Sequence, residues 1–158
     1  MFALFPFVYT HIQLITQYQE SQLLSLKTHI FGAYSFLENI VYMLLEGAPQ
    51  PIRNLVFKLA FKRFGRGCML DYKTYFRYPW VISIGDGVSI NRGCAFFGSY
   101  VAGGAEIVIG NNVAIGPSVK IFSASHEYST RDLNDTAGDV VIGDGAWIGG
   151  ASIILPCV

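Results

Sequence analysis

The 158 residues contain three histidines: His11, His29 and His126. His11 and His29 lie in an apolar, Gln-containing leader and read as surface or packing residues. His126 is placed differently, in "IFSASHEYSTR", where the longest polar segment of the chain begins. With an ordinary pKa of about 6.5, a histidine can take a proton at neutral pH and serve as a general base. Ser123, Ser125 and Asp132 are close enough in sequence to suggest a Ser-His-Asp arrangement, but no GxSxG elbow presents a serine. A metal site needs two or three converging ligands. Only Glu127 adjoins His126, and neighbours on a strand face apart, so no metal is expected. "IGDG", at 84–87 and 142–145, lacks the lysine of a phosphate loop and a following helix, and reads as a corner.

The elements that must hold His126 are legible in a six-residue count. Ile84, Ile90 and Phe96 form one triplet, Ile109, Ile115 and Ile121 a second, and Ile142, Ile148 and Ile154 a third. Six fits neither a helix face nor one long strand, but it suits short strands with a turn after each. The residue four places on is small at Val88, Cys94, Val113, Val119, Ser125, Ala146, Ser152 and Val158, with Tyr100 as the exception. Glycine often follows the isoleucine directly, and is expected to relax the backbone near the corner. The pattern predicts a solenoid, with the large residue filling a prism and the small one fitting where the wall turns inward. Ser125 is then an inward position, and alternation turns His126 outward. Three sides make a coil of about 18 residues. Ile84 to Ile109 and Ile109 to Ile142 are both longer than that. The surpluses fall near "YVAGGAE" and "EYSTRDLNDTAGD", which have the composition of surface loops.

Residues 1–30 read as an extension without a clear structure, 31–65 as a helical region and 66–158 as the solenoid. "YSFLENIVYMLLEG" puts Phe36, Leu37, Ile40, Val41, Leu44 and Leu45 on one helix face. After "APQP", Pro51 opens a second helix in which Leu55, Val56 and Leu59 oppose Lys58 and Lys62, and Gly65 stops it. Net charge is zero, yet seven of the eleven Lys and Arg fall between 53 and 77, opposed in that stretch only by Asp71. Two uses of the second helix follow: a layer packed on the end of the solenoid, or a basic amphipathic helix on an anionic membrane or lipid-linked substrate. No apolar run reaches the roughly 18 residues of a membrane span, and "MFALFPFVY" lacks the basic start of a signal peptide. Cys68, Cys94 and Cys157 form no CxxC and read as reduced, structural cysteines of a cytoplasmic protein.

The register, together with "INRGC" at 90–94, "IGPSV" at 115–119, His126 and "IGDGAWIGG" at 142–150, resembles the hexapeptide-repeat acyltransferases. The similarity is to the sugar O-acetyltransferases, such as the galactoside and maltose enzymes and those of polysaccharide clusters, and covers 66–158. It implies a mainly β fold, a left-handed parallel β-helix of about four coils behind the N-terminal helical region, and a homotrimer with sites between subunits. It implies His126 as the general base that deprotonates a sugar hydroxyl attacking acetyl-CoA, used as co-substrate with no metal. By the same resemblance Asn91 contacts the acceptor, Trp147 lies near the CoA arm, and Gly149 and Gly150 line the pantetheine groove. Arg77 and Tyr78 are expected on the acceptor side. The acceptor is a sugar or glycan of a surface polysaccharide or lipid-linked intermediate, with peripheral membrane contact through 51–64 and no nucleic-acid partner. Family members continue past the coil begun at "ILPCV", so a truncated solenoid is expected here. The alternative is a non-catalytic trimeric scaffold or truncated pseudoenzyme.

Overall fold

The computed structural model describes residues 5–100, 103–129 and 131–158, with side chains from residue 22 onward. It divides into two compact units that part between Leu44 and Leu45. Helix α1, Phe5–Gly47, starts far upstream of residue 31, and helix α2 is Gln50–Ala60. The side chain of His11 lies outside the described residues.

Four coils follow. Coil one is β1 (Arg63–Phe64), β2 (Met69–Leu70) and β3 (Tyr75–Arg77). Coil two is β4 (Ile82–Ile84), β5 (Ser89–Ile90) and β6 (Ala95–Phe97). Coil three is β7 (Ile107–Ile109), β8 (Ala114–Ile115) and β9 (Lys120–Phe122). A side hairpin, β10 (Ala124–His126) and β11 (Asp135–Ala137), comes next. Coil four is β12 (Val140–Ile142), β13 (Trp147–Ile148) and β14 (Ile153–Ile154). Strands stack in parallel on three faces: β1-β4-β7-β12, β2-β5-β8-β13 and β3-β6-β9-β14. The six-residue count extends one coil earlier than the isoleucines suggest. Phe64 pairs with Ile84, Leu70 with Ile90 and Phe76 with Phe96. Leu70, Phe76, Ile84, Ile90, Phe96, Ile115 and Ile121 are wholly or almost wholly buried. Each interior column is continuous, so burial and the parallel ladders reinforce one another.

The glycines after the large residue serve another purpose than the one expected. Backbone with positive φ occurs three residues after the inward residue, at Gly67, Gly87, Asn112 and Gly145 on the first corner. At Gly85, an added Cβ would lie 2.5 Å from the Gly110 carbonyl oxygen of the next coil; at Gly116, 2.6 Å from the Gly150 nitrogen. These glycines let successive coils approach.

Helix α2 closes the lower end of the prism, and the reason is electrostatic as well as apolar. The Asp71 N–H bonds upward to the Ile90 carbonyl at 2.9 Å, so the Leu70 carbonyl of the same peptide plane faces away from coil two. Gln50 Nε2 donates to that oxygen at 2.8 Å and Arg53 Nη1 at 3.3 Å. Arg53 is buried, with its guanidinium 4.2 Å from the Tyr72 ring centroid. Phe57 and Phe61 pack edge-on against Phe76 at 5.5 and 4.8 Å. The buried face is thus Arg53 and Phe57, whereas Leu55 and Leu59, expected to lie opposite the lysines, are exposed alongside Lys58. The helix ends at Ala60, ahead of Gly65, because Phe61 turns to extended backbone to enter β1. Along α1, Leu45 is buried, but Phe36, Leu37, Val41 and Leu44, expected on a packing face, are exposed.

Candidate active site at the third corner

Ser123 ends the third face of coil three. It is fully buried, its N–H donates to Phe97 O at 3.0 Å and its Oγ to Ala105 O at 3.3 Å. Those bonds fix the point where the chain leaves the prism. Ser123, and not Ser125, is therefore the inward small residue here; Ser125 is exposed because β10 has already departed. The long surplus of coil three is a hairpin, with Ser125 opposite Thr136 and His126 opposite Asp135. Glu127 N donates to Asn134 O at 2.8 Å and closes the loop.

His126 stands on this hairpin with its side chain 62% exposed. Its Nδ1 is 3.0 Å from Leu133 O and 3.3 Å from Asp135 Oδ1. A carbonyl and a carboxylate can only accept, so Nδ1 carries hydrogen and the neutral ring has its lone pair on Nε2. Leu133 adopts φ 49°, a left-handed conformation uncommon for leucine, and its carbonyl is the one that orients the ring. Neither Ser123 nor Ser125 is a hydrogen-bond partner of His126, so the Ser-His-Asp alternative has no nucleophile in place. Among the described residues no group of three or more His, Cys, Asp or Glu could hold a metal ion.

Arg77 and Tyr78 lie at the same corner, in coil one. Tyr78 has φ 54°, and its ring meets Trp80 at 5.4 Å and Tyr100 at 4.7 Å, with the Arg77 guanidinium 5.1 Å from the Tyr78 centroid. The hydrogen bond with Tyr78 pushes the Tyr100 phenol above its ordinary pKa. An outer aromatic column rises from Tyr75 through Phe97 to Phe122, where β9 leads into the hairpin.

The other expected residues sit elsewhere. Asn91 is at the second corner, and its Nδ2 donates to Ile115 O at 2.8 Å. Trp147, 77% exposed, is on the second face of coil four opposite Ala114. Gly150 stacks over Pro117 at that face's end. One chain therefore gathers Arg77, Tyr78 and His126 along its third corner, and Asn91, Trp147, Gly149 and Gly150 along its second.

No family model matches the chain. It is 35% identical over 97 residues to nodulation protein L of Rhizobium leguminosarum bv. viciae, covering 60% of this chain and 48% of that protein. The maltose O-acetyltransferase of Clostridium difficile superposes with a TM-score of 0.66 at 25% identity, over 76% of this chain and 65% of that one. A hexapeptide-repeat acetyltransferase of Vibrio cholerae, solved with acetyl coenzyme A, superposes with a TM-score of 0.66 at 24% identity, over 75% of this chain and 64% of that one. In fold and in sequence the chain is similar to the hexapeptide-repeat acetyltransferases. The prism is the left-handed parallel β-helix of that family. The chain spans about half the length of the curated relatives it matches.

Within this hexapeptide-repeat frame, sequence reasoning missed Leu133 and Asp135, because nothing local announces that 127–134 turns back as a hairpin. It also missed Trp80 and Tyr100. A signal for Tyr100 existed: it breaks the small-residue rule four places after Phe96. The basic stretch is also less bare than its composition suggests. Arg53 is buried, Lys62 pairs with Glu106, and Arg66 lies 3.7 Å from Asp86. On α2 itself Lys58 is the one cation left exposed. Cys68 and Cys94 are buried, and desolvation raises both thiol pKa values, which suits packing and not reactivity.

Proposed function

We propose that the chain carries the general base and acceptor side of an acetyl-CoA-dependent O-acetyltransferase acting on a sugar hydroxyl. The observation that carries this reading is His126, whose Nδ1 is held by Leu133 O and Asp135 while Nε2 is left as the basic nitrogen. A sugar hydroxyl is a weak nucleophile until its proton is removed as it attacks. His126 Nε2 takes that proton while the hydroxyl oxygen bonds to the thioester carbonyl carbon. The tetrahedral oxyanion collapses, the carbon–sulfur bond breaks, and the imidazolium returns the proton to the departing thiolate of CoA. Asp135 and the Leu133 carbonyl both favour the transient imidazolium, the usual role of a base's second partner. The acetyl group passes directly from the thioester to the hydroxyl oxygen, so no enzyme nucleophile is required.

The two residue groups lie on different corners of one prism. A closed threefold assembly would bring the second corner of one copy to the third corner of the next. In that homotrimer Asn91 and Trp147 of one subunit face His126 of its neighbour, with Gly149 and Gly150 along the pantetheine and Arg77 and Tyr78 toward the acceptor. A glycan of a surface polysaccharide or lipid-linked intermediate, made at the cytoplasmic side, is the acceptor class we favour. No described helix is long and apolar enough to cross a membrane. Within 51–64 Arg53 is buried and Lys62 pairs with Glu106, which leaves Lys58 and Arg63 as the exposed cations for the membrane contact considered there.

The test is calorimetric titration with acetyl-CoA, followed by mass spectrometry of acetyl transfer to a panel of oligosaccharides. Binding plus transfer that disappears in His126→Ala supports the reading. Absence of acetyl-CoA binding would favour the non-catalytic scaffold, and undiminished transfer by His126→Ala would remove the base assignment.

A further inference from the structure

Helix α1 carries a pattern that neither the solenoid nor the proposed chemistry uses. From residue 23 onward, apolar residues recur with a strict seven-residue register. One position of the heptad holds Leu23, Ile30, Leu37 and Leu44; the position three residues on holds Leu26, Ala33 and Ile40. That is the a and d seam of a coiled coil, sustained over three heptads without a skip. Leu23, Leu26, Ile30, Leu37 and Leu44 are each more than half exposed, so the seam is open along its length. The opposite side is mixed, with Ser25, Thr28, Ser35 and Asn39 at c and f and Leu24 and Phe31 at b, and it carries no apolar position repeated every seven residues as the seam does. An exposed apolar stripe of this extent needs a cover.

We infer that α1 pairs in parallel with α1 of further copies of this chain, forming a coiled-coil stem. A repeat of 3.5 residues, shorter than the 3.6 of a free helix, is what two or more identical helices satisfy by supercoiling together; a flat lipid surface imposes no such register. Charge also argues against lipid, since Lys27 is the only Lys or Arg in the helix, whereas interfacial helices carry many on their polar face. Phe36 and Met43 at g, with Val41 at e, widen the seam beyond what two helices cover. Leucine at most a positions with isoleucine at a d position likewise favours three or more strands. The threefold form rests on the trimer proposed above; the self-association does not.

Spin labels in the full chain test this. Leu23→Cys and Leu44→Cys are each labelled in a Cys157→Ser background, which leaves only the buried Cys68 and Cys94. In a parallel seam, with axes about 8–10 Å apart, the label at either position sits close to its own copy and both spectra show strong dipolar broadening. In an antiparallel pair centred on the seam, like labels would be separated by the rise of 21 residues, about 31 Å, and the broadening would vanish at both ends. A label at Ser35→Cys, on the opposite side, should broaden less than either. Adding Ile30→Asp and Leu37→Asp should abolish the broadening at Leu44→Cys, whether or not the solenoid stays oligomeric. Absence of broadening at both seam positions overturns the inference. So does loss of broadening on adding phosphatidylcholine–phosphatidylglycerol vesicles with the chain co-sedimenting, which would make the occupant lipid. Acetyl transfer plays no part in the readout, so this inference can fail while the proposed function stands.

Discussion

Two corners of the prism repeat without variation, and the third never repeats. At the first two corners every inward residue is followed by the next after six positions, from Phe64 to Leu70 to Phe76 and through to Ile142, Ile148 and Ile154. At the third corner, Phe76 to Ile84, Phe96 to Ile109 and Ile121 to Ile142 grow steadily longer. The cause is local packing. At the first corner each turn lies against the turn above, and Asp86, Asn111 and Asp144 each accept the N–H of the corner residue one coil below. No room is left for an insertion. At the third corner the chain steps between coils, and extra residues cost only slowly growing loop entropy. His126, the Tyr78–Trp80–Tyr100 cluster and the hairpin all lie there. The first two corners hold the stack, and the third takes the insertions and the proposed base.

The sharpest way to break that division is to swap the consequences. His126→Ala should lower acetyl transfer by about 10²–10⁴-fold and leave the melting temperature within experimental scatter, because the side chain is mostly exposed. Gly85→Ala should do the opposite. Its new methyl would collide with the Gly110 backbone, and overpacking against a backbone should cost about 3 kcal/mol of stability, measured by urea unfolding. Gly143→Ala is the internal control, because an added Cβ there meets nothing within 4 Å. A chain that unfolds on losing His126, or tolerates Gly85→Ala as well as Gly143→Ala, would show that the corners do not divide the work.

Legibility follows the same division. The second to fourth coils could be read because the aliphatic residue that fills the prism recurs strictly. The six-residue count did not reach coil one because Phe64, Leu70 and Phe76 are not isoleucines, although Leu70 and Phe76 lie in the span assigned to the solenoid and only Phe64 fell in the stretch read as helix. The glycines were located but misread: sequence shows where a glycine stands, not that a neighbouring coil's carbonyl lies where its Cβ would be. Alternation after an inward Ser125 predicts the exposure of His126, whereas the chain leaves the prism at Ser123 and it is the hairpin that exposes the ring. The groups that orient it were not legible, since Leu133 and Asp135 reach it only after a hairpin turn that six-residue counting cannot foresee. Arg53 shows the limit most plainly, because an arginine in a basic run reads as solvated until the unpaired Leu70 carbonyl that needs it is known.

Acid should weaken the repeating corner. The N–H of Arg66 holds the Asp86 carboxyl below its ordinary pKa, and the N–H of Asn111 does the same for Asp144. A carboxylate lowered in the folded state contributes stability above its unfolded pKa, and that contribution disappears as pH falls through the folded value. Stability should therefore drop as pH falls below about 4. Asp86→Asn, whose amide oxygen still accepts the Arg66 N–H, should flatten part of that drop in urea titrations run at stepped pH. An acid response identical in Asp86→Asn and the parent chain would remove this ladder as its source.

The smallest effect separates the corners by sign. The second corner places Ser118 at φ 62° and Ala151 at φ 60°, and the third places Tyr78 at φ 54°. Left-handed backbone is unfavourable for each of these residues and free for glycine, although glycine gives up more entropy on folding. For Ser118→Gly the two terms leave a gain of about 0.5 kcal/mol, since the hydroxyl has no bond to lose. Tyr78→Gly relieves the same strain but removes ring contacts to Trp80 and Tyr100, each worth about 0.5–1.5 kcal/mol. The chain should become less stable there. Equal gains at both sites would mean that the aromatic cluster contributes nothing to holding the third corner; opposite signs mean that the strain at Tyr78 is sustained by the rings it presents.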